Sequence, residues 1–176
     1  MVTLNEITKF CDEYLGTVRF SDYCPNGLQV EGRSEVSHIV TAVTASLATI
    51  EAAIENNADM LLVHHGYFWK GETPQITGMK GRRIRKRIEN NLNLVAYHLP
   101  LDAHPETGNL AQLAKRLRWE NARPVDENDG LLWQVELPQK VNACSLSQEL
   151  SGVLNREPLH IPGGPIEFNR IGWCTG

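Results

Sequence analysis

The sequence predicts an α/β protein with a parallel or largely parallel sheet and helices packed on its faces. Two observations lead there. Between residues 38 and 117, β-branched and apolar runs alternate with segments whose apolar residues recur at helical spacing, the rhythm of strand–helix–strand units. One of those runs, "DMLLV" (59–63), is short and continuously apolar, as suits a strand covered on both faces.

Each element has its own signal. Thr3 and Glu6 form a T-x-x-E capping box ahead of Leu4, Ile7, Phe10, Tyr14 and Leu15, which are spaced as one helical stripe. A turn-rich passage, "SDYCPNGLQVEGRSEV" (21–36), bends most sharply at Pro25-Asn26-Gly27. The β-branched "HIVTAVTA" (38–45) predicts the first strand. Ser46 can cap a helix carrying Leu47, Ile50 and Ile54 and closing at Asn56-Asn57. After the apolar strand, "RRIRKRIENN" (82–91) predicts a helix, "LNLVAYHL" (92–99) a third strand, and Leu110, Leu113, Ala114 and Leu117 a further helix. From Arg123-Pro124 the pattern restarts more weakly, which divides the chain into 1–123 and 124–176. There "LLWQVELP" (131–138) predicts a strand, Ser145 and Gln148 a second capping box, and "FNRIGWCTG" (168–176) a final strand. Ending on a strand that runs into Thr-Gly suggests a chain that would ordinarily continue into another turn and helix.

Composition narrows the class. With 41% hydrophobic and 22% charged residues in 176, the chain has the balance of a soluble globular protein. Its net charge of −4 argues against a general nucleic-acid or membrane-surface binder. No apolar run approaches the roughly 18 to 20 residues that cross a bilayer, and the N-terminus lacks the basic start of a secretory signal. Cys11, Cys24, Cys144 and Cys174 stand far apart with no C-x-x-C pair, so free thiols in a reducing, cytoplasmic setting are expected.

The run "MLLVHHGYFW" (60–69) carries the functional question, because a buried strand does not ordinarily end in two imidazoles. In open α/β sheets the functional crevice lies beyond the carboxyl ends of the parallel strands. "VHHG" (63–66) ends the second strand and "AYHLPLDAHPE" (96–106) the third. On a common rim, His64 and His65 would approach His98, Asp102 and His104. One histidine near a strand end is ordinarily structural; four with an aspartate make the usual ligand set for zinc, manganese or iron. Neighbouring residues on extended chain diverge, so two ions, each taking one histidine, fit better than a single shared one. Paired ions of this kind lie about 3.5–4 Å apart.

Three segments, "SDYCPNGLQVEG", "VHHGYFWKGE" and "YHLPLDAHPETGNLAQLA", resemble the signature stretches of the GTP cyclohydrolase 1 type 2 homologue family, the Nif-three-like dinuclear-metal proteins, in its bacterial branch. The resemblance implies duplicated α/β lobes with a mixed sheet, the first carrying the metal ligands, and toroidal homohexamers whose metal pairs face an inner cavity. It implies that His64 and His65 are ligands, one per ion, that Asp102 is the aspartate ligand, and that His98 and His104 stand just outside them. It also implies a later segment contributing another histidine and a bridging glutamate. This chain carries neither, so the second lobe is expected to be truncated, leaving a metal pair, a single ion on His65 and Asp102, or none.

The function so implied is metal-dependent hydrolysis of a guanine nucleotide, opening its imidazole ring with metal-bound hydroxide and losing formate. His98 or His104 would move the protons. The alternative is a non-catalytic, divalent-metal-binding hexameric scaffold or interaction protein. Phe68 or Trp69 could stack on a flat heterocycle and Lys70 meet phosphate, against the simpler expectation that these residues pack the loop. The basic run "KGRRIRKR" (80–87) could gather phosphates, although a solvated helix face buried along Ile84 and Ile88 is the simpler expectation. "GGP" (163–165) lacks the lysine and spacing of a phosphate loop. The resemblance, which covers their segment, implies that Ser21-Asp22 and Asn26 lie near the site, but the sequence gives them no role.

Overall fold

The structure, a computed structural model, describes residues 1–125 and 130–175. It divides into two compact units, Met1–Leu101 and Asp102–Gly176. That division falls earlier than 123/124, because the helix over Asn109–Arg116 shares its core with the later strands, as described below.

The first unit is built on a four-stranded mixed sheet. Strands β4 (Ile39–Thr44), β5 (Met60–His65) and β6 (Asn93–Ala96) are mutually parallel, and β2 (Gly27–Val30) pairs antiparallel with β6. The order across the sheet is β2-β6-β5-β4. Side chains alternate across β5 and β6 with period two. Leu61, Val63, Leu94 and Ala96 therefore enter one core with Ile50, Ala53 and Ile84. Met60, Val95 and Tyr97 enter the other, with Leu4 and, at its margin, Ile7, Cys11, Leu15 and Leu62. Helices α2 (Leu47–Glu55) and α3 (Gly78–Glu89) contribute to the first core and α1 (Leu4–Leu15) to the second. A two-residue pair, β1 (Val2–Thr3) with β3 (Glu35–Val36), closes the N-terminal edge. A short helix, α4 (Leu99–Ala103), follows β6 in the chain.

The capping box opens α1 as expected. Thr3 Oγ1 accepts from Glu6 N at 3.2 Å, and Glu6 Oε2 accepts from Thr3 N at 2.9 Å. The inward stripe is the buried Leu4 with the half-buried Ile7, Cys11 and Leu15, whereas Phe10 and Tyr14 stack on each other outside, 65% and 43% exposed. Ser46 caps α2 by accepting from Thr49 N. Helix α3 departs from expectation in a more telling way: Ile84 is buried, but Ile88 is 57% exposed and Arg87 is fully buried. The stripe advances by three residues at that turn, and Lys80 and Arg87 both lie over aromatic rings, of Phe68 and Tyr67.

In the second unit, β7 (Arg123–Pro124), β8 (Trp133–Asn142) and β9 (Glu167–Trp173) form an antiparallel sheet. Helices α5 (Asn109–Arg116) and α6 (Ala143–Leu154) share its core: Ala114, Leu117, Trp119 and Val135 meet Leu146, Leu150 and Ile171. The expected box at Ser145 does not form. Asn142 is the cap, its Oδ1 accepting from Ser145 N at 2.9 Å, so the helix starts one turn earlier. All four cysteines are free thiols. Among the described residues, no helix is long and apolar enough to cross a membrane.

Candidate metal centre

His64 and His65 are the last two residues of β5, not a loop beyond it. Alternation should send them to opposite faces, yet their ring centroids stand 4.4 Å apart at a tilt of 43°. His98, just beyond β6, brings a third ring to within 5.1 Å of His64 and 5.8 Å of His65. One donor atom from each of these three residues lies within 4.8 Å of the others. The parallel pairing of β5 with β6 produces this convergence, since both strands end at the same rim.

Each ring is held through its Nδ1. His64 Nδ1 stands 2.9 Å from the carbonyl oxygen of Tyr97. A carbonyl only accepts, so this nitrogen donates and the lone pair of the neutral ring lies on Nε2. Tyr97 is itself pinned, its hydroxyl donating to Asp12 Oδ1 at 3.0 Å. His65 Nδ1 is 3.2 Å from Thr44 Oγ1, on the neighbouring strand. His98 Nδ1 is 2.8 Å from Asp22 Oδ1. Anchoring of one ring nitrogen by a protein oxygen is the usual support for coordination through the other. By that chemistry the three-imidazole cluster fits a transition-metal ion such as zinc, manganese or iron.

Gly66 explains the third letter of "HHG". A Cβ built there would come within 2.2 Å of Gln29 Oε1 and 2.7 Å of Ala96 Cβ. The same Gln29 oxygen accepts from Tyr67 N at 2.7 Å. Only a glycine lets the chain turn this closely against β2 and β6. Beyond the turn, Tyr67 donates to the Ala45 carbonyl at 2.7 Å, and burial raises its phenol above the ordinary tyrosine value, partly opposed by Arg87 and Arg83.

The three aromatic-loop candidates separate. Trp69 meets His98 edge to face at 4.9 Å and lies 6.1 Å from His65, so it borders the imidazole cluster. Phe68, in left-handed conformation at φ 65°, instead packs on the core beneath Lys80 Nζ, 5.0 Å from its centroid. Lys70 is exposed, its backbone N–H bound to the Tyr23 carbonyl. A second grouping, Asp22, Cys24 and His98, also has donor atoms close together. The Asp22–His98 bond accounts for it, while burial and then the Asp22 carboxylate push the Cys24 thiol up to about 11.

Asp102, the remaining expected ligand, belongs to the second unit and is buried; its Oδ1 accepts from Asn109 Nδ2 at 2.8 Å and Thr175 Oγ1 at 2.7 Å. In the same unit, His104 Nδ1 accepts from the turn backbone, with Glu106 N at 3.3 Å and Thr107 N at 3.2 Å sharing its lone pair, and the Thr107 hydroxyl stands 3.0 Å from it, closing the turn before α5. The sequence pattern missed Thr44, which carries no motif of its own, and gave Asp22, within a signature stretch, no partner; they lie 21 and 76 residues from the rings they hold.

Known proteins resemble this chain over nearly its whole length. The description Duf34/NIF3 (NGG1p interacting factor 3) fits residues 2–176. A Pseudomonas aeruginosa "GTP cyclohydrolase 1 type 2 homolog" is 46% identical over 178 residues, covering 99% of this chain and 70% of the relative. A Vibrio cholerae protein of the same description is 50% identical over 180 residues, covering 97% and 69%. Among solved structures, protein ybgI, described as of unknown function, superposes with a TM-score of 0.92 at 44% identity, covering 99% of this chain and 70% of that one. A Thermus thermophilus protein gives 0.82 at 33% identity, covering 94% and 67%. The chain belongs to the Duf34/NIF3 family.

Proposed function

We propose that this protein binds divalent metal at the end of β5 and β6 and acts as a metal-dependent hydrolase on a guanine nucleotide. His64, His65 and His98 are the imidazole donors of the proposed site. Asp102 is its carboxylate on the strength of its motif, Y-H-L-P-L-D-A-H. The observation that carries the reading is the shared anchoring of three convergent rings through Nδ1. We include His98 among the proposed donors, where the family resemblance implies a place just outside them; its ligand atom lying within the same 4.8 Å as the other two supports this.

A divalent ion held there supplies Lewis-acid polarisation and an activated water at neutral pH. The protein's own residues do the rest. The Tyr97 carbonyl, Thr44 hydroxyl and Asp22 carboxylate keep the rings from turning away. Trp69 borders them with an aromatic surface suited to a flat heterocycle. Similarity to proteins named as GTP cyclohydrolase 1 type 2 homologs supports the guanine nucleotide as substrate class and formate as a product. A homohexameric ring and a cytoplasmic location belong to the same proposal.

The test is incubation of purified, manganese- or zinc-loaded protein with GTP, following formate and metal content together. Formate release that vanishes in His65→Ala, with loss of bound metal, supports the hydrolase. Bound metal without formate would make the protein a non-catalytic metal-binding assembly. Absence of metal at every concentration supplied would remove both readings.

A further inference from the structure

The carboxylate of Asp22 is surrounded by donors. Oδ1 accepts from Tyr23 N at 2.6 Å and faces His98 Nδ1 at 2.8 Å; Oδ2 accepts from Asn26 Nδ2 at 2.9 Å and Leu99 N at 3.0 Å. The orientation of Asn26 is not arbitrary, since its Oδ1 accepts the backbone N–H of His98 at 2.8 Å and so its Nδ2 must be the atom facing Asp22. The Asp22 side chain is only 3% exposed. Tyr23 N, Leu99 N and Asn26 Nδ2 can only donate, so both carboxylate oxygens already accept and His98 Nδ1 is the fourth donor of the set.

We propose that Asp22, braced by Asn26, is a positioning residue that fixes His98 as the Nδ1–H tautomer and presents its Nε2 lone pair to the cluster with His64 and His65. This rests on the metal-site reading above and adds to it a residue from the loop before β2. Two ties reinforce the placement. Asp22 and Asn26 grip the backbone of Leu99 and His98 as well as the ring, so the chain leaving β6 and the imidazole are set as one piece. The arrangement is a carboxylate–histidine pair oriented toward a metal position, in which the carboxylate governs which nitrogen coordinates.

The geometry also says what Asp22→Asn should do. An amide has one accepting and one donating end, so its NH2 must confront either Tyr23 N and His98 Nδ1 or Asn26 Nδ2 and Leu99 N. The first conflict is relieved if His98 moves its proton to Nε2 and accepts at Nδ1.

The experiment begins with metal-free protein uniformly labelled with 15N, in which long-range proton–nitrogen correlations identify the His98 tautomer, assigned by difference from His98→Gln. The expected wild-type result is a proton on Nδ1. In Asp22→Asn, the Nε2–H form should appear and zinc affinity, measured by chelator competition, should fall about 10–100-fold. Asp22→Glu should keep the wild-type tautomer. A wild-type His98 protonated on Nε2, or an Asp22→Asn protein with unchanged tautomer and zinc affinity, would overturn the proposal. If Asp22→Asn does not fold, the wild-type spectrum and Asn26→Ser decide: Asn26→Ser should broaden or mix the His98 signals and weaken zinc, and unchanged signals with unchanged affinity would count against it. The tautomer is read without metal, so the proposal can stand even where the metal-site reading fails through absence of zinc binding.

Discussion

The guanidinium carbon of Arg87 lies 4.7 Å from the centre of the Tyr67 ring, in a core where Arg87 has no exposed surface. None of its Nε, Nη1 and Nη2 atoms meets hydrogen-bonding geometry with a partner among the described residues. A buried cation with only a ring face beneath it gains about 0.5–2 kcal/mol from that contact, while its desolvation costs several. Burial accordingly lowers the Arg87 pKa, opposed by the neighbouring phenol. Arg87→Met, which keeps the stem's volume and removes the charge, should leave the protein as stable as the parent or more so in urea titration. Arg87→Ala should lose about 2–4 kcal/mol through the cavity it opens. Equal losses in the two variants would show that the charge itself is satisfied.

Asp59 presents the opposite case, a buried charge with every need met. It accepts from Ser37 N at 2.9 Å, from the Ser37 hydroxyl at 2.9 Å, from His38 N at 3.0 Å and from the Arg33 guanidinium. The Ser37 backbone bond is the largest cause holding its carboxyl far below the usual aspartate value; burial opposes, and Ser37 Oγ, Arg33 and His38 add to the depression. Because the folded value is depressed below an unfolded value of about 3.9, the stabilisation is complete above about pH 4. It is lost as pH falls further, through the folded value. Asp59→Asn should cost about 1–3 kcal/mol at pH 7, since its NH2 meets donors. The difference from the parent should shrink at pH 3, and urea midpoints at the two pH values check both halves.

These two residues also mark where the sequence was readable. The Thr3–Glu6 box and the Ser46 cap, set by neighbours within a few residues, held; the Ser145 box gave way to Asn142, and the apolar runs marked β4, β5 and β6 although their parallel pairing joins residues far apart in the chain. "HHG" was legible as chemistry because the pattern breaks a buried strand. Partners distant in sequence were not legible. Arg87 reads as one more surface cation in a basic run, Asp59 as the polar start of a strand, and Asp22 as a member of a signature stretch with no role of its own. Their roles depend on contacts 20, 22 and 76 residues away. Strand β2 was lost for a related reason: four residues inside a turn-rich passage acquire strand geometry only by pairing with β6.

Gly66→Ala should disturb the proposed centre without touching any of its proposed ligands. The added methyl would overlap Gln29 Oε1 and Ala96 Cβ, so Gln29 must shift and release Tyr67 N. A loss of about 1–3 kcal/mol is expected from overpacking, along with weaker zinc binding as the residue after His65 is displaced. Gly71→Ala is the control for a substitution in the same loop, where a Cβ would meet nothing within 4 Å; its φ of 89° makes it destabilising by backbone strain but leaves the turn against β2 alone. Zinc affinity lowered equally in both variants would mean that loop order in general, and not the Gly66 approach, sets the His65 geometry.

Thr44 and His65 are cross-strand partners in the β4–β5 register, and the Thr44 hydroxyl stands 3.2 Å from His65 Nδ1. Thr44→Val keeps the β-branched shape favoured on a strand and removes only the hydroxyl. The residue is exposed, so stability should change by no more than about 0.5 kcal/mol. Zinc affinity should nevertheless fall by up to about tenfold, because an imidazole without its Nδ1 partner can rotate away from a coordinating orientation. Thr44→Ser should retain most of it. If Thr44→Val binds zinc as the parent does while His65→Ala does not, His65 is oriented by packing against Trp69, 6.1 Å away, and the Trp69→Leu protein should then show the loss instead.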